Sequence, residues 1–314
     1  MIEIYSSLNE TGLPILQESI TKGCWIRLIM PTEEELSFVC DRLPIEKSEL
    51  TVLLDEEERP RVEHDQDFSL IIMDTPYVVI EDDIESYTTI PAGFILLPEV
   101  IISVSLRKNP VLDLFSAGKI KNFSTDNHAG FILLFLYKNA GVFVQNLRMI
   151  DKRTTEIEKT LKKSTKNEEL FHMLTLSKSL VYITNSLKGN AGVLEKLSKS
   201  QNVTGTLTEK DRDVLDDAII ENSQAMEMAQ TYAETITSTM GAFASIINNN
   251  VNWIMKLFTS FAAIMAIPMV VAGFFGMNVA IPMTEYPFAF ISIVVGSLGV
   301  SAVLIFVMMK KRIL

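Results

Sequence analysis

The chain has 314 residues, with 28 Lys and Arg against 39 Asp and Glu, a net charge of −11, and two cysteines. That acidity argues against a nucleic-acid partner and suits repeated contact with cations, although acidity for solubility explains it as well. Cys24 and Cys40 make neither a framework of pairs nor a CxxC spacing, so no disulfide scaffold or zinc knuckle is expected.

The charge is unevenly placed. Residues 253–314 hold four basic groups, Lys256, Lys310, Lys311 and Arg312, and one acid, Glu285, which leaves 24 basic against 38 acidic residues in 1–252. The N-terminal MIEIYSSLNE has acids where a secretion signal needs a basic end and an apolar run, so the large domain is expected to stay in the cytoplasm.

In chain order, CWIRLIMP and GFILLPEVIISVSL are rich in Ile, Val, Leu and Phe at strand length. Between them PTEEELSFVCDRL has an N-cap candidate in Thr32, early acids and apolar residues at helical spacing. The first hundred residues therefore read as an α/β domain. The segment DEEERPRVEHDQD reads as a charged loop or exposed strand end, and its His64, Asp65 and Asp67 as a weak metal-site candidate. From Pro110 the pattern turns helical. GFILLFLY resembles a short membrane run, but Lys138 interrupts it too early to span, and a buried core helix fits better. His172 lies in the next helix, as a packed or exposed side chain.

At Thr208 a long helix is expected to start, with Asp211 three residues on completing a capping box. Gly241 and Pro268, with Gly273 at the very end, disfavour helix before Phe275, and at ~1.5 Å per residue that helix is about 100 Å long. Ile219, Met226, Ala229, Tyr232, Ile236, Met240, Phe243 and Ile247 recur at helical spacing and make a packing stripe.

Two uncharged stretches follow. The first, LFTSFAAIMAIPMVVAGFF at 257–275, and the second, after Glu285 and before Lys310, are each long enough to cross a bilayer. Lys256 and the Lys310, Lys311, Arg312 cluster place both ends in the cytoplasm. The expected division is a cytoplasmic α/β and helical domain at 1–207, a stalk helix at 208–256, spans at 257–275 and 287–309 joined by an outer loop at 276–286, and a basic tail at 310–314. Pro268 removes an amide donor and leaves the carbonyl of Ile264 without its helical partner, a feature expected to serve a watery pore.

The sequence Phe275, Gly276, Met277, Asn278, placed between two C-terminal spans behind an acidic cytoplasmic part, resembles the Gly-Met-Asn signature of the CorA family of divalent-cation transporters. The resemblance covers the whole architecture and is recognisable residue by residue mainly over 248–314. It implies a homopentameric channel in the plasma (inner) membrane, multi-pass, with an α/β cytoplasmic domain and a long stalk helix continuing into the first of two transmembrane helices. It implies Mg²⁺ as both cargo and regulator, without an organic cofactor. Gly276, Met277 and Asn278 form the implied selectivity loop, and Glu285 adds charge at the outer mouth. Stepping back along the helix gives a pore lining of Gly273, Met269, Ala266 or Met265, Ala262, Thr259 or Phe258, Met255 and Asn252.

The chain departs from the family where Phe275 replaces the usual Tyr, and where Ala266, Ile267, Pro268 and Met269 replace a Met-Pro-Leu-Thr pattern. The family's usual outer Met-Pro-Glu-Leu is also altered. For regulation the resemblance implies acids on the stalk, first Asp213, with Asp216 or Asp217 as substitutes because the spacing to Asn252 is about one turn longer than usual. Glu81, Asp82 and Asp83 are the opposing candidates, with a solvated acidic turn as their plainer reading. Two rivals stand beside Mg²⁺ uptake: a relative moving Zn²⁺, Co²⁺ or Ni²⁺, outward or coupled to protons, and a membrane-anchored sensor or scaffold. The spans lack His and Cys, which disfavours dedicated soft-metal ligation. No Walker loop, GxSxG elbow or zincin motif is present, so no enzyme is expected.

Overall fold

A computed structural model describes residues 1–7, 13–81, 84–120, 123–162, 167–199, 207–278 and 287–311. The chain divides into two compact units, Met1–Met240 and Gly241–Leu314.

The first unit is built on a seven-stranded sheet: β1 (Ile2–Ser7), β2 (Pro14–Gln17), β3 (Cys24–Ile29), β4 (Arg61–His64), β5 (Ser69–Glu81), β6 (Ile84–Leu96) and β7 (Val100–Ser105). Their spatial order is β2-β1-β3-β7-β6-β5-β4. Among the described residues only β3 and β7 pair in parallel, with Cys24 opposite Val100 and Ile29 opposite Ser105. These two strands are buried along their whole length, which explains why CWIRLI and VIISVS read as continuous runs without alternation. The run GFILLPEVIISVSL is split between the end of β6 and β7. Pro98 lies in the turn, which Leu97 N closes by donating to the carbonyl of Val100 at 3.0 Å.

Helices cover both faces. On one side α1 (Glu33–Cys40) and α2 (Lys47–Val52) bury Leu36, Val39 and Leu50 against Ile26, Leu28, Ile72 and Ile102. The expected N-cap holds: Thr32 Oγ1 accepts from Glu35 N while the Glu35 carboxylate accepts from Thr32 N. On the other side lie α3 (Pro110–Ser116), α4 (His128–Leu161) and α5 (Asn167–Lys199). Their core is aromatic, with Phe131 within 5.2 Å, ring centre to ring centre, of Trp25, Phe115 and Phe123. The GFILLFLY run thus forms the start of α4 inside this core, with Phe131, Ile132, Leu133, Phe135 and Leu136 all buried.

The last two helices are α6 (Glu209–Phe275) and α7 (Ala289–Lys310). In the first unit α6 buries Leu215, Ala218, Ala225, Ala229 and Ile236. The packing stripe therefore begins a turn earlier than Ile219, at Leu215, and takes in Ala218 and Ala225. α4, α6 and α7 are each long and apolar enough to cross a membrane, yet their most apolar windows are 56%, 6% and 11% buried inside the protein. Burial in the aromatic core accounts for the apolar face of α4. The apolar surfaces of α6 and α7 remain exposed.

Candidate functional site

The start of α6 is fixed by side-chain hydrogen bonds within the protein. Thr208 Oγ1 accepts from Asp211 N at 3.2 Å, and Asp211 Oδ2 accepts from Thr208 N at 3.0 Å and from the Thr208 hydroxyl at 2.7 Å. Asn127, the N-cap of α4, donates through Nδ2 to both Asp211 oxygens at 3.3 and 3.4 Å, and its own Oδ1 accepts from Gly130 N at 2.9 Å. Asp211 is therefore a buried tie between the first turns of α4 and α6. The stalk acids singled out from sequence, Asp213, Asp216 and Asp217, lie in the next two turns and all are exposed.

Of their proposed counterparts, Glu81 ends β5 opposite Ile84. The Glu81 side chain, Asp82 and Asp83 lie outside the described residues, as does Glu285. No group of three His, Cys, Asp or Glu side chains close enough to hold a metal occurs among the described residues. His64 Nδ1 lies 2.9 Å from Ser69 Oγ across the β4–β5 pair, and His172 Nδ1 stands 3.9 Å from a Glu169 oxygen.

In the second unit α7 lies against α6. The less exposed positions of α7 are Ala289, Ile293, Ser297, Ser301, Leu304 and Met308, one stripe at spacings of three and four. On α6 the corresponding positions are Ser260, Ile264, Ile267, Pro268 and Val271. Ser260 and Ser301 are the most enclosed, at 1% and 6% exposed. The contact is marked by one long hydrogen bond, from Ser301 Oγ to the carbonyl of Ile264 at 3.5 Å. The carbonyl that Pro268 frees faces this hydroxyl of α7.

Asn252, Met255, Phe258, Thr259, Ala262, Ala266, Met269 and Gly273 are all exposed, Met269 at 71% and Phe258 at 66%. At about 100° per residue, this row points roughly opposite to the row that meets α7. Thr259 bonds back to the carbonyl of Met255 at 2.8 Å, so its hydroxyl proton is engaged while its oxygen remains an acceptor. Gly276 N closes the end of α6 onto the carbonyl of Ala272 at 2.9 Å, and a Cβ at Gly276 would sit 3.2 Å from that oxygen. Met277 and Asn278 follow it, exposed. At the other end a cavity of about 610 Å³ is lined by Asn249, Asn252, Trp253, Met255, Lys256, Thr259, Ser260 and Met308, so it takes in Asn252, Met255 and Thr259 of that row together with residues that sequence periodicity had not grouped with them.

Comparison with known proteins places this geometry. The family model described as "CorA-like Mg2+ transporter protein" matches residues 21–311. A cobalt/magnesium transport protein, CorA, of Methanocaldococcus jannaschii is 30% identical over 293 residues, covering 92% of this chain and 90% of that protein. The complete structure of the CorA magnesium transporter of that organism matches with a TM-score of 0.84 at 26% identity, over 99% of this chain and 98% of that one. The structure of the same transporter's soluble domain matches with a TM-score of 0.66 at 27% identity, over 77% and 95%.

Proposed function

The chain belongs to the CorA family of CorA-like Mg²⁺ transporter proteins, and from that premise we propose that it conducts hydrated Mg²⁺ inward through a homopentamer, along the face of α6 turned away from α7. The observation that carries this reading is the exposed row from Asn252 to Gly273, free of charged side chains, which runs into Gly276, Met277 and Asn278.

Mg²⁺ gives up first-shell water reluctantly. A ring of neutral Asn278 amides at the outer mouth accepts hydrogen bonds from that water and holds the ion without stripping it. A ring of carboxylates would hold it too tightly to release. Below, small Ala262, Ala266 and Gly273 leave width for a hydrated ion. Met255, with Phe258 on its flank, narrows an apolar neck that closes by excluding water, and Asn252 receives the ion beneath it. Glu285 draws cations to the outer side. α6 from residue 257 and α7 are the two membrane spans, with both termini cytoplasmic. The gradient and membrane potential supply the driving force; the family is one of transporters and not of enzymes.

Regulation belongs to the acids. Asp213, Asp216 and Asp217 are exposed and so available to a neighbouring copy, with Glu81, Asp82 and Asp83 as the opposing set. Mg²⁺ held between copies neutralises these carboxylates and favours the closed ring; at low cytoplasmic Mg²⁺ their repulsion loosens it. A second cargo is favoured by one finding: the Methanocaldococcus jannaschii relative is a cobalt/magnesium transport protein. We extend it to Co²⁺ transport here.

The test is entry of Mg²⁺ into proteoliposomes loaded with a Mg²⁺-sensitive dye, for the wild type and Asn278→Ala, repeated with Co²⁺, Ni²⁺ and Zn²⁺ outside. Mg²⁺ entry that Asn278→Ala reduces at least tenfold is expected. Movement of Zn²⁺ alone, or of no ion, overturns the proposal in favour of a zinc-moving relative or a membrane-anchored sensor.

A further inference from the structure

Pro268 has no amide hydrogen, so the carbonyl of Ile264, four residues earlier, has no donor within its own helix. Inside a bilayer or a protein interior such a carbonyl is costly to leave unpaired. Ser301 of α7 brings a donor to it, at 3.5 Å and across 37 residues of chain. A hydroxyl in a helix ordinarily bonds back to its own previous turn, as Thr259 does to Met255 and Ser297 does to the carbonyl of Val294 at 2.9 Å. Ser301 reaches across to the other helix instead, from a position 6% exposed. Ser260, one turn before Ile264 on the same face, is also buried, and its hydroxyl has no partner among the described residues. Among the described residues, the inter-helix hydrogen bond at this level is the one Ser301 makes.

We propose that Ser301 is a positioning residue for transport. By donating to the carbonyl that Pro268 leaves open, it pins α7 to α6 at the level of the proline. It thereby sets the direction in which residues 269–275 carry Gly276, Met277 and Asn278 to the mouth. Its consequence for flux rests on the transport reading above; its hydrogen-bond geometry does not. The pairing also explains why a proline is tolerated inside a continuous helix of 67 residues. The defect in one helix and the donor in the other are a matched pair.

The experiment is a double-mutant cycle on the full chain in one lipid composition: wild type, Ser301→Ala, Pro268→Ala and the double variant, with Ser301→Thr as the hydroxyl-retaining control. Thermal unfolding and dye-reported Mg²⁺ entry are both measured. Alanine at 268 restores the missing amide, so it should remove the need for the serine. Ser301→Ala alone is expected to lower Tm by about 3 °C and to slow Mg²⁺ entry several-fold. Ser301→Thr should stay near the wild type. In the Pro268→Ala background, Ser301→Ala should change neither readout. An equal effect of Ser301→Ala in both backgrounds, or none with Pro268 in place, overturns the proposal. If Pro268→Ala fails to fold, equal losses in Ser301→Ala and Ser301→Thr overturn it as well. Coupled Tm values in a wild type that admits no Mg²⁺ would overturn the transport reading and leave the pairing of Ser301 with Pro268 standing.

Discussion

Asp211 and Asp213 are two residues apart and do different work. Asp211 holds Thr208 and Asn127 inside the protein, whereas Asp213 faces outward with Asp216 and Asp217. Asp211→Ala should therefore cost about 1–2 kcal/mol of stability, the loss of a helix cap, read by thermal unfolding. Replacing Asp213, Asp216 and Asp217 together by Ala should leave Tm within a few degrees but abolish the closing effect of cytoplasmic Mg²⁺ on uptake. An unchanged Mg²⁺ dependence would reject the stalk acids as regulators. The Thr208–Asp211 box was legible because a cap is a local pattern four residues long. The bonds from Asn127 were not, because they join positions 84 residues apart. The same holds for Ser301 and Ile264: sequence shows that Pro268 frees a carbonyl, and only packing shows what meets it.

A second residue carries a pH prediction. Asp74, on β5, has its carboxyl pKa raised by burial, partly offset by a hydrogen bond from Ser186. The folded protein thus holds that proton more tightly than the unfolded chain. Asp74 favours the fold fully only below the ordinary carboxylate pKa of about 3.9, and the contribution is lost as pH rises through the higher folded value. Asp74→Asn should therefore raise Tm at pH 7.5, and the gain should shrink as the pH is lowered toward 4. A gain independent of pH would show that the carboxyl is not the cause.

Among the elements, β3 and β7 were legible as strands because burial on both faces leaves an unbroken apolar run. α4 was legible as a core helix because Lys138 cuts its apolar run short. The long β5–β6 pair, 13 residues in each strand, was less so, since Val78 and Ile80 in its outer half are apolar yet exposed and so mark no buried face. The joint between α4 and α6 gives an element-level test at Gly130. A Cβ there would lie 2.3 Å from Asn127 Nδ2 and 2.8 Å from Asp211 Oδ1. Gly130→Ala should break the tie between the helices and lower Tm despite alanine's better helix propensity. An increase in Tm would show that the side chains move aside at no cost.

On the scale of the whole molecule, one helix serves two packing regimes. α6 buries Ala218, Ala225 and Ala229 within the first unit, and in the second meets α7 along a row that includes Ser260 and Ile264. The first regime follows from hydrophobic periodicity. The second does not, because an apolar helix in a membrane shows no contrast between its faces, and the Gly-Met-Asn resemblance supplied the choice of face. In the proposed homopentamer the row opposite α7 is turned inward. The sharpest test is Mg²⁺ entry through single-cysteine variants in a background with Cys24 and Cys40 replaced by Ser, before and after a water-soluble thiol reagent. Ala262→Cys and Ala266→Cys should lose most of their flux on modification, while Ile267→Cys, on the row toward α7, should keep it. Block at Ile267→Cys with none at Ala262→Cys or Ala266→Cys would place the ion path elsewhere and contradict the account.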